Sequence, residues 1–313
     1  MLNTTEKINF SQEIEILKRK KNAVVLAHYY QRPEIQDLAD FVGDSLALAK
    51  KAANSKADLI VFCGVHFMAE TAKILNPTKK VLLPDLSAGC SLSDSCDPQS
   101  FKALREKNPD HIAVTYINCS AEIKALSDII CTSSNAKQII QSIPKNQPIL
   151  FAPDKNLGNY LIKETGRKIL LWEGECIVHT AFSFNKLLRL HLQYLEAVLV
   201  AHPESESNIL DLAKFVGSTS AMIEFIKSSN DESFLVATEI GIINELQKQA
   251  PHKKIIPVPT TENNSCACSE CAYMKVNTIE KLYQCLLQES PEIILHPHLI
   301  KQASIPLKKM INI

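Results

Sequence analysis

The sequence predicts an α/β protein made of three similar three-layer αβα domains, whose parallel sheets stand in a pseudo-threefold arrangement around a central site. Two observations lead to this fold class. Apolar, strand-like runs alternate with segments of helical periodicity along most of the chain, which is typical of parallel sheets covered by helices on both faces. The alternation also recurs three times with the same internal spacing, which indicates a repeated structural unit.

Each of the three repeats opens with a strand-like run that ends at a polar residue. A segment of helical periodicity follows, and a serine or threonine comes 17 residues after the polar residue in all three cases. The pairs are His28 with Ser45, Tyr116 with Ser133, and His202 with Thr219. The first and third repeats also share the strings DLADFVGDS and DLAKFVGST, so duplication explains the spacing better than chance does.

The remainder of each repeat also has a constant order: a second strand, a helix, a third strand and a loop that carries a cysteine. The second strands read ADLIVFCG, QPILFAPD and SFLVATE, and the loop cysteines are Cys90, Cys176 and Cys271. We therefore place the repeats at residues 22–107, 108–193 and 194–275. An amphipathic N-terminal helix (1–21) and a C-terminal helix (276–313) are expected to pack with the first repeat.

The loops at the carboxyl ends of parallel strands usually carry the functional site of an α/β protein. Three converging units would bring together their polar strand ends, which are His28, Tyr116 and His202. The three hydroxyl residues would lie there too, each near the start of a helix, where backbone N–H groups and the helix dipole favour anions. For one hydroxyl alone an ordinary helix N-cap is the alternative explanation, and the triplication favours an anion site.

Composition excludes several classes of function. The chain has 34 basic and 34 acidic residues and a formal net charge of +0, so we expect neither a nucleic-acid partner nor an anionic membrane surface. No apolar run approaches the roughly 18 residues that a membrane span needs. The polar N-terminus resembles neither a signal peptide nor a transit peptide, and a cytoplasmic location is expected.

Ten cysteines in such a chain point to buried thiols, metal ligands or catalytic thiols rather than disulfides. Four lie in apolar surroundings and are interpreted as core thiols: Cys63, Cys119, Cys131 and Cys285. Five others lie in loops beside glycine, serine or acidic residues: Cys90, Cys176, Cys266, Cys268 and Cys271. One loop cysteine in each repeat gives three thiolates at equivalent places, which suits a soft metal site.

The residues alone leave two kinds of metal site open. Structural zinc prefers four protein ligands, and Cys266 or Cys268 could complete such a set. An iron–sulfur cluster held by only three cysteines leaves one iron open to substrate, where it can act as a Lewis acid. The placement of one cysteine in each repeat favours the catalytic cluster.

Nine motifs follow one another along the chain: HYYQRPEIQDLADFVGDS, GCSLSDSC, TYINCSAEIKALSD, CTSSNA, GECIVH, HPES, GSTSAM, TEIGIINELQ and CAYMKVNT. In this order they resemble the quinolinate synthases of NAD biosynthesis, from about Lys21 to Leu286. The resemblance implies three stacked α/β domains around a central [4Fe-4S] cluster with Cys90, Cys176 and Cys271 as ligands. It also implies a transferase that condenses iminoaspartate with dihydroxyacetone phosphate, giving quinolinate, phosphate and two waters, with L-aspartate oxidase as functional partner.

The family chemistry requires proton transfers near neutral pH, for which histidine, tyrosine and a perturbed carboxylate are suited. The catalytic candidates are Glu204 as general base, Tyr30 as an acid/base or a gate, and His202. Substrate contacts are expected from His28, Ser45, Tyr116, Asn118, Ser133, His179, His202, Glu204 and Thr219, with Tyr116 and Asn118 bound to a substrate carboxylate. The structural alternatives are a solvated loop glutamate, a packed tyrosine and ordinary structural histidines.

Two other functions remain open at this level. An iron–sulfur hydro-lyase for another small carboxylic acid would also leave one iron free, and a zinc-stapled α/β binding module would have no catalytic role. The chain also departs from the family pattern. Ser205 stands where many relatives have a cysteine, and Cys266 and Cys268 precede Cys271 as a redox-sensitive disulfide or as incidental thiols.

Overall fold

A computed structural model describes residues 9–260 and 269–313 of the chain. Within these ranges the chain forms three four-stranded sheets whose strand pairs are all parallel. In each sheet the spatial order is the second, first, third and fourth strand of one sequence unit. Helices flank the sheets, which confirms the predicted α/β class with three similar αβα domains.

The first unit follows an N-terminal helix. Its elements are α1 (Phe10–Lys20), β1 (Ala23–His28), α2 (Pro33–Leu38), β2 (Phe41–Gly43), α3 (Ser45–Ala53), β3 (Leu59–Cys63), α4 (His66–Leu75) and β4 (Lys80–Leu82). The helices α5 (Ser91–Asp94) and α6 (Pro98–Lys107) lead to the second unit. All five residues of β3 are buried, because the strand lies inside a sheet covered on both faces.

The second unit repeats this order. Its elements are β5 (Ile112–Tyr116), α7 (Ala121–Ala125), β6 (Ile129–Cys131), α8 (Ala136–Ser142), β7 (Ile149–Ala152), α9 (Lys155–Thr165) and β8 (Ile169–Leu171), followed by α10 (Phe184–Gln193). Asp154 caps α9 by accepting the Leu157 N–H at 2.7 Å, and Gly166 ends it in the left-handed conformation with φ of 66°. A glycine there avoids the steric penalty that a side chain would bring.

The third unit and the C-terminal helices complete the described chain. The elements are β9 (Val198–Ala201), α11 (Ser207–Leu210), β10 (Phe215–Val216), α12 (Thr219–Ser228), β11 (Ser233–Ala237), α13 (Ile242–Gln249), β12 (Lys254–Pro257), α14 (Ala272–Lys275), α15 (Ile279–Gln288) and α16 (Pro297–Ile311). Among the described helices, none combines the length and the apolar character that a membrane span requires.

Each unit contains a short edge strand that the sequence pattern does not predict. Periodicity predicts one helix up to the hydroxyl residue, whereas the structure has a short helix and then a strand, as α2 and β2. In the first unit Asp40, just before β2, fixes the edge strand against β1. Its carboxylate accepts the Val25 N–H at 2.7 Å, and its backbone N–H donates to the Val25 carbonyl oxygen at 2.9 Å. Asp128 binds Ala113 in the same way. Strands of two or three residues are too short to register as an alternation.

The C-terminal segment, expected to be one helix, divides into α15 and α16 around Pro291, and Pro297 begins α16. The helix α15 packs on α1 beside the first sheet. The helix α16 lies between two units, since Leu307 shares one hydrophobic core with Leu26 of β1 and Val114 of β5. This helix therefore helps to fix the first sheet against the second.

The third unit packs against the first through the turn after β1. Tyr29 belongs to the hydrophobic core of the third unit. The Gln36 side-chain amide donates to the carbonyl oxygens of Tyr29 and Gly241 at 2.8 and 3.0 Å. The carboxyl ends of the first strands β1, β5 and β9 open onto one shared cavity.

Candidate active site

One cavity between the three units receives side chains from all of them. The side chains fill much of it and leave a free volume of about 70 Å³, which is room for several water molecules. All the side chains predicted to bind substrate, act in catalysis or hold metal line it: His28, Tyr30, Ser45, Cys90, Tyr116, Asn118, Ser133, Cys176, His179, His202, Glu204, Thr219 and Cys271. Residues far apart in sequence thus share one site.

The three hydroxyl residues are not the helix caps. Asp44 caps α3 by accepting the Ala47 N–H at 2.9 Å, and Ser218 caps α12 by accepting the Ala221 N–H at 3.3 Å. Ser45 and Thr219 are instead the first residues of these helices, and Ser133 lies in the turn before α8. Because other residues do the capping, these hydroxyl groups face the cavity at positions where anions are favoured.

His28 and His202 occupy equivalent places and have the same tautomer. The Nδ1 atom of His28 accepts the Tyr30 N–H at 3.1 Å, and that of His202 accepts the Glu204 N–H at 3.4 Å. Burial lowers the pKa of His28 to about 4 and that of His202 to about 3. Both rings are therefore neutral at pH 7 and carry their proton on Nε2. The His202 Nε2 lies 3.3 Å from the Ser133 hydroxyl.

Glu204 is the centre of a buried polar network. Its Oε1 accepts the Tyr116 hydroxyl at 2.5 Å, and its Oε2 lies 2.9 Å from Nδ1 of His179. Burial by itself would raise the pKa of Glu204, but electrostatic interaction with the neighbouring His179 and His202 and the hydrogen bonds from His179 and Tyr116 lower it to about 2. The group is an ionised carboxylate at neutral pH, so the solvated-glutamate alternative does not describe it.

Tyr30 connects the first unit with the other two. Its hydroxyl lies 3.2 Å from the Thr219 hydroxyl and 2.7 Å from that of Thr238. The Thr238 hydroxyl also lies 3.0 Å from Nε2 of His179. Burial raises the pKa of Tyr30 well above its usual range, so the phenol is protonated at neutral pH. A continuous hydrogen-bonded path therefore runs from Tyr30 through Thr238 and His179 to Glu204.

The three loop cysteines are part of the same cavity wall. Cys90 and Cys271 stand immediately before the short helices α5 and α14, and Cys176 lies in a loop beyond β8. Burial raises the pKa of Cys90 to about 12, that of Cys271 to about 11 and that of Cys176 well above its usual range. Without a cation these thiols stay protonated at pH 7, whereas a bound metal displaces their protons.

The spread of these cysteines suits a cluster better than a single ion. Among the described residues, the only group of three His, Cys, Asp or Glu ligand atoms within 4.8 Å of one another is Cys176, His179 and Glu204. A tetrahedral zinc ion would draw its sulfur ligands to about 3.8 Å apart, and Cys90, Cys176 and Cys271 form no such group. The three sulfur atoms are more widely spread than one tetrahedral ion requires, and thiolates are the donors that hold iron–sulfur clusters.

The remaining cysteines divide into two groups. Those interpreted as core thiols are all buried: Cys63, Cys119, Cys131 and Cys285. Cys96, which the sequence analysis did not assign, is buried as well. Cys266 and Cys268 lie outside the described residues, so their role as a disulfide or as incidental thiols stays a prediction.

Three buried acids of this region escape the sequence analysis. Asp44 lines the cavity and accepts the Ser134 hydroxyl at 2.9 Å across the first and second units. Asp154 and Glu239 are fully buried just beyond β7 and β11, and Glu239 lines the cavity. The strings QPILFAPD and SFLVATE both end on these acids. An acid at the same place in two repeats is the signal that could have revealed them.

Known proteins resemble this chain over nearly its whole length. The family described as "Quinolinate synthetase A protein" matches residues 12–312. Three similar relatives, each named quinolinate synthase, come from Gloeothece citriformis, Chloroherpeton thalassium and Trichodesmium erythraeum. The first is 56% identical over 96% of this chain and 92% of the relative, the second 55% over 98% and 97%, and the third 53% over 96% and 93%. The chain therefore belongs to the quinolinate synthase family.

Proposed function

We propose that this protein is a quinolinate synthase, a transferase of NAD biosynthesis that condenses iminoaspartate with dihydroxyacetone phosphate. The products are quinolinate, phosphate and two waters. The observation that carries the proposal is one cavity lined both by a cysteine from each unit and by the Glu204 network. Full-length relatives that bear this name support it.

Cys90, Cys176 and Cys271 would hold a [4Fe-4S] cluster. Three protein ligands would leave one iron open, and when bound the cluster supplies a Lewis acid that favours loss of water from a substrate. The surrounding side chains would bind the substrates and transfer protons.

The substrates and the product carry carboxylate or phosphate groups, yet the cavity binds them without a permanent cation. No lysine or arginine is among the described residues that line it. Neutral donors take that role: the Nε2–H groups of His28 and His202 and the hydroxyl groups of Ser45, Ser133 and Thr219. Asn118 has a side-chain oxygen that is buried and lacks a hydrogen-bond partner. Because that oxygen only accepts hydrogen bonds, it suits a hydroxyl or N–H group of a substrate, and the amide N–H of Asn118 is the group that would bind a carboxylate beside Tyr116.

Proton transfer is assigned to Glu204, with His202 and Tyr30 beside it. Glu204 is ionised, so it can accept a proton, although the bonds that lower its pKa also weaken it as a base. We expect substrate to replace one of those bonds, which would raise the basicity of the carboxylate during the reaction. The protonated Tyr30 phenol can donate a proton or exchange one along the path through Thr238 and His179.

The imine substrate hydrolyses in water, so its source has to be close in time or space. L-aspartate oxidase is the proposed supplier, and a cytoplasmic location is proposed for this chain. Burial of His202 and Glu204 fits a site that limits the contact of a reactive imine with water.

An anaerobic assay tests this function. The cluster-loaded protein is mixed with dihydroxyacetone phosphate while L-aspartate oxidase generates iminoaspartate in place, and quinolinate and free phosphate are both measured. The proposal predicts equal amounts of the two products and none without the triose phosphate. A hydro-lyase for another acid would release no phosphate, and a colourless protein with one zinc ion per chain would contradict the cluster.

A further inference from the structure

Glu239 is a buried carboxylate to which the proposed reaction gives no role. It lies two residues beyond β11, is fully buried and lines the cavity. One carboxylate oxygen accepts the Cys271 N–H at 3.0 Å, and the other accepts the Gly241 N–H at 2.7 Å. A carboxylate removed from water persists only with such partners. Glu239 therefore holds the backbone of a proposed cluster ligand directly.

Lys275 pairs with this carboxylate and links it to the first unit. Its ammonium group lies 3.1 Å from the Glu239 carboxylate and donates to the Tyr30 carbonyl oxygen at 2.6 Å. The Arg32 guanidinium in turn donates to the Lys275 carbonyl oxygen at 3.1 and 3.0 Å. The contacts thus run without a break from the Cys271 loop to the turn that carries Tyr30.

The backbones of the two segments also touch at Gly241. A Cβ atom at this position would lie 2.8 Å from the Tyr30 Cα and 2.7 Å from a Glu239 carboxylate oxygen. Such distances leave no room for any side chain. The Glu239 loop and the Tyr30 turn are therefore in direct contact, which limits their relative movement.

A buried acid also stands at the equivalent place in the second unit. By strand register, Asp154 beyond β7 is the counterpart of Glu239 beyond β11. Asp154 is fully buried; one carboxylate oxygen accepts the Leu157 N–H at 2.7 Å, and the other lacks a hydrogen-bond partner among the described residues. Val65 takes this place in the first unit. A buried acid thus recurs at equivalent positions, and Glu239 is the one that binds a cysteine loop and whose cation, Lys275, reaches another unit.

We propose that Glu239 and Lys275 are a positioning pair that sets the Cys271 loop against the Tyr30 turn. The pair keeps a cluster ligand of the third unit and a substrate-facing tyrosine of the first in a fixed relative placement. The identification of Cys271 as a cluster ligand rests on the proposed function, whereas the contacts made by the pair do not.

Hydrogen exchange and cluster loss test the pair in the full chain. Glu239→Gln replaces the charged acceptor of the Cys271 N–H by a neutral one, and Lys275→Met leaves the buried carboxylate without its cation. In both variants the Cys271 amide should exchange about tenfold faster or more, because hydrogen bonds to charged groups are stronger than those to neutral ones. Cluster loss to an iron chelator should accelerate in the same variants. The double variant should be no worse than the more affected single variant, because the residues act as one unit, and Lys275→Arg should restore much of the protection.

Lys248→Met is the matched control. Lys248 pairs with Asp37 at 2.5 Å across the same two units, but this pair is exposed at the surface. The control should leave exchange at Cys271 and cluster loss unchanged, and peptides of β5 and β7 should keep their protection in all variants, which shows that the fold is intact. Equal behaviour of Lys275→Met and Lys248→Met, or additive effects of the two pair variants, would overturn the proposal. Hydrogen exchange is measured without iron, so it tests the positioning pair whether or not a cluster assembles. A wild-type chain that assembled no cluster would contradict the proposed function, and the exchange rates would still decide whether Glu239 and Lys275 act as a pair.

Discussion

The Tyr116 hydroxyl group donates a hydrogen bond to Oε1 of Glu204, with 2.5 Å between the two oxygen atoms. This hydrogen bond joins the second unit to the third inside the cavity. The two residues are far apart in sequence and belong to different units, so the contact forms only when the units are assembled. The bond also explains part of the low pKa of Glu204. A side chain from one unit thus contributes, together with His179 and His202, to keeping the proposed base in another unit ionised.

Glu204→Gln should retain the cluster and lose turnover. The amide cannot accept a proton as the carboxylate does, so we expect kcat to fall about 100- to 10,000-fold. Iron and sulfide content per chain should match the wild type, because Glu204 is not a proposed ligand. Activity near the wild-type value would remove Glu204 from catalysis.

His28→Gln and His28→Asn should differ sharply. A glutamine amide can place its N–H near the position of the histidine Nε2, whereas the shorter asparagine cannot reach it. We expect glutamine to keep KM for the anionic substrates within about tenfold, and asparagine to lose about 1.5–3 kcal/mol of binding, as for a hydrogen bond to a charged group.

Steady-state KM for each substrate provides the comparison, and the matching pair at His202 repeats the test in the third unit. The neutral tautomer with the proton on Nε2 would be the wrong description if the two amides behaved alike, or if asparagine were the better replacement.

Replacing Cys90, Cys176 or Cys271 by serine should abolish cluster incorporation. Cys266→Ser and Cys268→Ser should leave it largely intact, and Cys119→Ser, in the hydrophobic core of the second unit, should affect stability rather than iron content. Iron and sulfide per chain after anaerobic reconstitution are the measurements. Loss of the cluster in Cys268→Ser but not in Cys271→Ser would show that Cys271 is not the third ligand.

Stability should fall as the pH is lowered below about 6.5. Burial lowers the pKa of His28 to about 4 and that of His202 to about 3, so between these values and 6.5 the unfolded chain binds more protons than the folded one. The folded state is therefore favoured above 6.5 and loses up to about 1.4 kcal/mol per pH unit for each histidine below it. Glu204, with a pKa of about 2, adds a loss in the same direction below about 4.5.

Urea unfolding of the reduced, cluster-free protein at pH 7 and pH 5.5 measures this effect. His28→Gln should show a smaller difference between the two pH values than the wild type does. His298→Gln is the control, because His298 is exposed. If His28→Gln and His298→Gln changed the difference in unfolding free energy between pH 7 and pH 5.5 equally, His28 would not be the source of the pH dependence.

The repeat made much of the fold and site predictable from sequence. A constant spacing between His28 and Ser45 and their counterparts locates the strand ends and helix starts, since both depend on local patterns. Parallel sheets then require those ends to lie on one edge. For this reason residues such as Tyr116 and Cys271, far apart in sequence, could be assigned to one cavity.

The features that escaped prediction depend on contacts between units or on very short elements. Asp44 reads as a helix cap, and nothing local shows that it also accepts a hydrogen bond from Ser134 of the second unit. The sequence around Lys275 predicts only a lysine in a short helix, and its burial against Glu239 depends on how the folded segments pack together. The edge strands, such as β10 with two residues, carry too little pattern to be separated from the adjacent helix.

The most direct test of the central claim, that three units build one cluster-dependent site, is quinolinate turnover measured against cluster content. Samples reconstituted anaerobically to different degrees are assayed with iminoaspartate generated in place and with dihydroxyacetone phosphate. Turnover should be proportional to the number of clusters per chain, with none in cluster-free protein. Turnover without a cluster, or fully loaded protein that forms no quinolinate, would contradict it.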